Sequence, residues 1–173
     1  MFFSRLLVSL LGLVLVASPS FAAGQPSLAF LGVQFQNDNE SLEPTSDAER
    51  GRLVRTGEEF TQQLSASGKF KVVPATDAVK AKIATGQAVG ECGGCEIDYG
   101  RALGADFVAW MRIQKVSNLI LNMTVYFAEV TSGRMTLTKS VDLRGNTDDS
   151  WSRSLKYLVK NSVLPADIKP LVR

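Results

Sequence analysis

The sequence contains no histidine. That removes the Ser-His-Asp and Cys-His nucleophile systems, imidazole metal ligands, and the side chain best suited to shuttling protons near neutrality. Carboxylates and lysines can support catalysis without it, but no complete catalytic constellation stands in this chain, and the expectation is a protein that is not an enzyme. Cysteine is nearly as scarce, with two residues in 173, which excludes a disulfide-dense scaffold. An excess of one charge is lacking as well. Nineteen Lys and Arg face 17 Asp and Glu, a net charge of +2, and a near-neutral chain with interspersed signs does not carry the footprint of a nucleic-acid binder. There is one long apolar run, Leu6 to Ala17, and it is too short for a comfortable bilayer span.

That run sits in "MFFSRLLVSLLGLVLVASPSFAAGQ", with Arg5 before it and small residues at Ser20 and Ala22, in the −3 and −1 places of a cleavage site. The pattern is that of a secretory signal peptide over residues 1–22. With no cysteine beside the cleavage point, acylation of the lipoprotein type is not expected there. The mature chain is then residues 23–173, 151 residues with a net charge of +1 after the loss of Arg5. This is the size of one ordinary domain with a real hydrophobic core. The expected address is the periplasm, with no membrane-spanning segment after cleavage.

Along the mature chain, "SLAFLGVQF" (Ser27 to Phe35) reads as a strand buried on both faces. Ser46 and Glu49 have capping-box spacing, so a helix is expected from Asp47, with Leu53, Gly57, Phe60 and Leu64 on its inner stripe. "GKFKVVP" is a second short strand ended by Pro74. Short helices follow over Asp77 to Thr85 and Glu96 to Leu103. Three long alternating strands come next, "ADFVAWMRIQKV", "LILNMTVYFAEV" and "RMTLTKSVDLRG", joined by tight connections with Gly133 in a hairpin turn. Their expected inner face includes Phe107, Met111, Leu121, Phe127, Met135 and Leu143. A last helix is capped by Thr147 or Asn146 and buries Trp151, Leu155, Leu158 and Ser162. The expected fold is a single α/β (α+β) domain in the order β-α-β-α-α-β-β-β-α. A mixed sheet of about five strands ends in an antiparallel three-strand meander, with helices packed on it.

Three places can carry function. The first is "GECGGCEIDYG", with Cys92 and Cys95 at the start of a helix. In an oxidising compartment so close a pair is expected as a disulfide. Thiol exchange is the competing reading, because a helix N-terminus favours thiolate, but the motif follows a helix and a loop instead of a strand. Two thiolates without histidine leave a zinc site half built, and the histidine needed for c-type haem attachment is missing. No metal or cofactor is expected. The second place is the other side of the meander, where Trp110, Arg112, Asn122, Tyr126 and Thr138 form a candidate partner-binding face, with aromatic and arginine side chains of the kind enriched at interface centres. The same pattern also describes a solvated face, or one covered by a helix. The third is the loop "QNDNESLEPTSD", four carboxylates after the first strand, where α/β folds often place ligands. Its spacing matches no EF-hand loop.

The order of elements, with "ALGADFVAWMRIQKVSNLILNMTVYFAEVTSGRM", resembles the N-terminal domain of TolB and its relatives CsgG and LpoB. The matching positions are Gly104 to Phe107 entering a long strand, and Val130 to Gly133 closing a hairpin. More closely, "DLRGNTDDSWSRSLKYLVKN" and its context resemble a family of exported bacterial proteins defined as a domain of unknown function. The resemblance implies a periplasmic α/β domain serving as a non-catalytic binding or accessory module for another envelope protein. A thiol-disulfide protein using Cys92 and Cys95, or a small-ligand carrier using the crevice after the first strand, are the alternatives.

The export reading has a direct test. Intact-mass measurement of the protein recovered from cells should show a chain that begins near Ala23 and is released from the periplasm; a full-length chain in the membrane fraction contradicts it.

Overall fold

Apolar residues recur at every second position from Phe107 onward, and this spacing forms three antiparallel strands: β3 (Phe107–Lys115), β4 (Leu121–Glu129) and β5 (Met135–Leu143). In the computed structural model, which describes residues 24–169, two more strands add in parallel to β3: β1 (Ser27–Asn37) lies beside it and β2 (Lys71–Val73) beyond that. The sheet order is β2-β1-β3-β4-β5. The described residues also form four α-helices: α1 (Asp47–Ala66), α2 (Asp77–Thr85), α3 (Cys95–Leu103) and α4 (Asp148–Leu158). The single mixed α/β domain expected from the alternation is therefore the one observed. The signal peptide expected over residues 1–22 lies outside the described residues.

One side of the sheet is covered by α1 and α4. Helix α1 begins with the reciprocal capping box: Ser46 Oγ accepts from the Glu49 amide and the Glu49 carboxylate accepts from the Ser46 amide. Phe60 and Leu64 then pack on Leu28, Phe107, Phe127 and Trp151 in the main core. Gly57 makes this approach possible, since a Cβ there would stand 3.3 Å from the Phe30 ring. A second, smaller core lies on the opposite side. There α3 and the segment before it cover Ala29, Val108, Trp110, Ala128 and Val130. Gly100 brings α3 down so closely that a Cβ would meet Val108 and Val130 at 2.6 and 2.5 Å. The cover reaches β1, the first part of β3 and the end of β4. Toward β5 this side stays open and polar.

Three expectations are corrected in detail. Strand β1 is deeply buried at Leu28, Ala29 and Leu31, but its later half is only half-buried, beyond an irregularity between Phe30 and Val33 where Gly32 has φ +111°. Met135 is not on the inner face: pairing jumps from Phe127–Leu137 to Ala128–Met135, skipping Thr136, and this bulge turns Met135 to the other side, 45% exposed. After Leu158 the helix widens into a π turn over Val159–Val163. The changed phase buries Val159 and Val163 in place of Ser162. The carbonyls freed near this turn are taken by the Lys69 ammonium, which donates to Val163 and Leu164 (3.3 and 2.8 Å) and to Ala166.

The far end of β3 holds a buried ion pair that the sequence pattern did not announce. Lys115 is 1% exposed, and its Nζ donates to Glu49 Oε1 (2.8 Å) and to Glu43 Oε1 (3.0 Å). Asn146, just ahead of α4, donates to the same Glu49 oxygen (2.7 Å), and its own side-chain carbonyl accepts from Trp151 Nε1 (3.1 Å). One carboxylate thus joins the start of α1, the end of β3 and the entry to α4. Burial pushes the Glu49 carboxyl up, but the hydrogen bonds from Lys115, Ser46 and Asn146 outweigh it and hold its pKa at about 2. For Lys115, burial works against the charge, and its hydrogen bonds to Glu49 and Glu43 reverse that and raise it.

The sign of the resulting pH dependence follows from linkage. Glu49 has a folded pKa depressed from 4.5, so its stabilisation is complete above that value and fades as pH falls toward about 2. Urea midpoints should therefore drop between about pH 5 and pH 2 by an amount that includes roughly 3 kcal/mol from this group. In Glu49→Gln that component should vanish, leaving a flatter acid limb on a protein already destabilised at pH 7 by roughly 3 kcal/mol. Identical acid limbs in both proteins contradict the assignment.

Candidate functional site

Strand register sets the polar side of the meander out as three rows. Trp110, Tyr126 and Thr138 lie across from one another, then Arg112, Thr124 and Ser140, then Gln114, Asn122 and Asp142. The side chains bond to one another along and between strands. Thr124 donates to Asn122 (2.8 Å) and shares a hydrogen bond with Ser140 (2.7 Å), while Asn122 donates to Asp142 (3.1 Å) and Gln114 to Asp38 (2.8 Å). Arg112, Asn122 and Tyr126 are half-buried and Thr138 is exposed. The alternation that keeps this face polar is the same one that commits the other face to the core.

Trp110 does not belong to the free part of this face. It is 3% exposed, and what covers it is the cysteine segment. Gly90, at φ +88°, passes against the Nε1 edge of the indole; a Cβ there would stand 2.5 Å from Trp110 Nε1. Glycine is required at this position twice over, by the left-handed backbone and by the ring beside it. The indole also stacks on Tyr126, with centroids 5.3 Å apart and the planes within 11°. The next residue, Glu91, forms an ion pair with Arg112 at 2.7 Å. The two candidates that were separate in the sequence, the C-x-x-C and the aromatic-arginine patch, are one structure. The expectation of Trp110 as an exposed contact residue is corrected: it is the floor under a loop, while Arg112 and Tyr126 mark where the roof stops.

Cys92 and Cys95 are joined, with Cα atoms 5.6 Å apart, inside the range a disulfide needs. The bond closes the loop just before α3, whose first residue is Cys95. Cys92 Sγ lies 3.1 Å from a carboxylate oxygen of Glu96. Were the bond reduced, a thiolate at Cys92 would face that negative charge, which opposes the help given by the helix start. Cys92, Cys95 and Glu96 are the group of potential metal ligands that converges among the described residues. Its two sulfur atoms are spent on each other.

The acidic loop after β1 is used internally. Glu40 accepts from Asn37 and Thr45, Glu43 from Lys115 and Asn118, and Asp47 pairs with Arg50. Asp38 takes bonds from Gln36 and Gln114. Hydrogen bonds from Thr45 and Asn37 lower the Glu40 carboxyl, and those from Lys115 and Asn118 lower that of Glu43. The four carboxylates each answer a different neighbour and do not turn toward a common point. The basic residues of α4 are similarly engaged, Arg153 with Asp149 (2.6 Å) and Lys156 with Glu59 (3.6 Å).

The chain belongs to the family DUF3280, described as "Protein of unknown function (DUF2380)", whose profile matches residues 26–163. No curated protein matches it in sequence. Among solved structures, it is similar to the C-terminal domain of LpoB from Salmonella enterica, with a TM-score of 0.51 and 16% identity over 72% of this chain and 87% of that one. It is also similar to the lipoprotein GNA1162 from Neisseria meningitidis, with a TM-score of 0.53 and 15% identity over 83% of this chain and 99% of that one. PelC from Paraburkholderia phytofirmans, solved as a dodecamer, matches with a TM-score of 0.50 and 14% identity over 83% and 91% of the two chains. At these identities the likeness establishes a shared fold.

Two outcomes test the site. Trp110→Ala should cost roughly 3–5 kcal/mol of stability, read from urea or thermal unfolding, because it empties a buried volume beside Gly90; an unchanged melting point contradicts the burial. The Cys92–Cys95 couple should titrate below about −300 mV against a glutathione or dithiothreitol buffer, as structural disulfides do, and show no insulin reductase activity. A value near −200 mV with turnover would make it an exchange centre.

Proposed function

We propose that this protein is a periplasmic, non-catalytic binding or accessory module of the cell envelope, and that it holds its protein partner on the open part of the polar sheet face. The observation that carries this reading is the fixed order of that face before any partner arrives. Tyr126 is clamped by its stack on Trp110, Arg112 is oriented by Glu91, and Thr124, Ser140 and Asn122 are already bonded to one another. Side chains held in one geometry lose little entropy on association, which lowers one of the costs a contact surface must overcome. Tyrosine and arginine are also the residue types enriched at interface centres. The fold shared with a neisserial lipoprotein and with the LpoB C-terminal domain agrees with a place in the envelope. The absence of histidine from the sequence agrees with a role that needs no proton transfer.

A photo-reactive amino acid placed at Ser140 or Thr138 should cross-link one envelope protein in living cells. With that protein purified, Ser140→Arg should leave the melting point within about 2 °C and weaken binding at least about 30-fold, the size of a hot-spot loss of about 2 kcal/mol. Binding unaffected by Ser140→Arg, or cross-links that form only from the helical side, would overturn the assignment of this face.

A further inference from the structure

The two edges of the sheet are unequal. Strand β2 has three residues, whereas β5 has nine and, among the described residues, no strand on its outer side. An edge of that length presents a row of main-chain donors and acceptors to whatever lies alongside. Its charge pattern narrows what that can be. Beside its second half runs a groove of about 580 Å³ between β5 and the outer flank of α4, lined by Val141, Asp142, Arg144, Arg153, Ser154 and Tyr157. Val141 and the 61% exposed Tyr157 supply apolar surface. Ser154 already donates to the Asp142 carbonyl across this groove (3.4 Å), so the strand's backbone accepts bonds from this side.

Lys139 shares the side of β5 that carries Leu137 and Val141, pairing with Val125, and is exposed. Among the described residues Lys139 and Arg144 have no ion-pair partner. Arg153 divides its charge with Asp149 (2.6 Å), and the Asp142 carboxylate accepts from Asn122 (3.1 Å). The balance along the edge is positive. It also disfavours a second copy of the chain: Lys139 is the middle residue of Met135–Leu143, so a two-fold antiparallel pairing in full register would set Lys139 against Lys139, and like charges directly opposite destabilise a strand pair.

We propose that the β5 edge and the adjoining groove receive an extended segment of a partner protein as a sixth strand, with acidic and apolar side chains alternating against α4 and polar ones on the opposite side. Main-chain bonds to β5 would supply affinity, and Arg144, Arg153 and Lys139 the preference for acid. This edge is separate from the face around Arg112, and the proposal does not rest on that face.

The probe is a seven-residue peptide with blocked ends, threonine at odd positions and glutamate, valine and glutamate at the even ones. A control carries lysine in place of glutamate. The acidic peptide should slow amide exchange in residues 135–143 of the mature protein and bind at least about tenfold more tightly than the control. Arg144→Glu with Arg153→Glu should reverse that preference, and Lys139→Glu alone should weaken it, with melting points unchanged. Equal binding of both peptides, an unprotected β5, a preference that survives charge reversal, or β5 protection that appears with protein concentration alone and marks self-pairing would each overturn the proposal.

Discussion

Strand β3 has to be buried on both faces, and most of the structure answers that requirement. Its residues from Phe107 to Met111 are buried without a break, so a single layer of helices could not cover them. Helices α1 and α4 close one side. The other side is closed by α3 with the disulfide-clipped segment before it. Parallel pairing with β1 and antiparallel pairing with β4 leave β3 interior to the sheet as well, so its backbone is satisfied on both flanks. At its last residue the strand buries a cation, and the Glu49 carboxylate compensates it while capping α1 and receiving Asn146. A paired charge at the end of a central strand fixes where that strand stops relative to two helices. It contributes less to stability than to a single register, because desolvation offsets much of the attraction.

The second cover is partial, and the face proposed to hold a partner begins where it stops. Trp110 is covered beside Gly90 and Arg112 is reached by Glu91, but among the described residues no element extends over Thr124, Ser140 or Asn122. The result is a rigid polar surface bounded on one side by a clipped loop and on the other by an exposed edge strand. Nothing in that arrangement assembles a nucleophile with a base. It presents ordered donors, acceptors and one clamped aromatic ring, which suits recognition.

The parts legible in the sequence were those set by local spacing. Period-two alternation gave the meander and its faces, Ser46 with Glu49 gave the start of α1, Thr147 was rightly named as a cap of α4, and the expectation of export pointed to the Cys92–Cys95 bond. What escaped was set by distant partners or by one-residue irregularities. Lys115 and Glu49 are 66 positions apart, and a lysine at a strand end ordinarily reads as solvated. Alternation assigned Trp110 to its face correctly but carries no information about a loop that folds back over it; only the unusual Gly90, Gly93 and Gly94 density hinted at close approach. The bulge that turns Met135 outward and the π turn that replaces Ser162 with Val163 each shift a periodic pattern by one residue, and a repeat read from sequence has no means of registering such a slip.

The most direct test of this picture is residue-resolved amide hydrogen exchange on the oxidised protein without a partner. Amides of β3 from Phe107 to Ile113 should exchange only through global unfolding, since that strand is covered on both faces and paired on both edges. Those of β5 should open locally and exchange much faster, because one edge and most of one face meet solvent. Uniform protection across β3 and β5, or a β3 that exchanges as readily as β5, would contradict the account of a doubly buried strand beside an open face and edge.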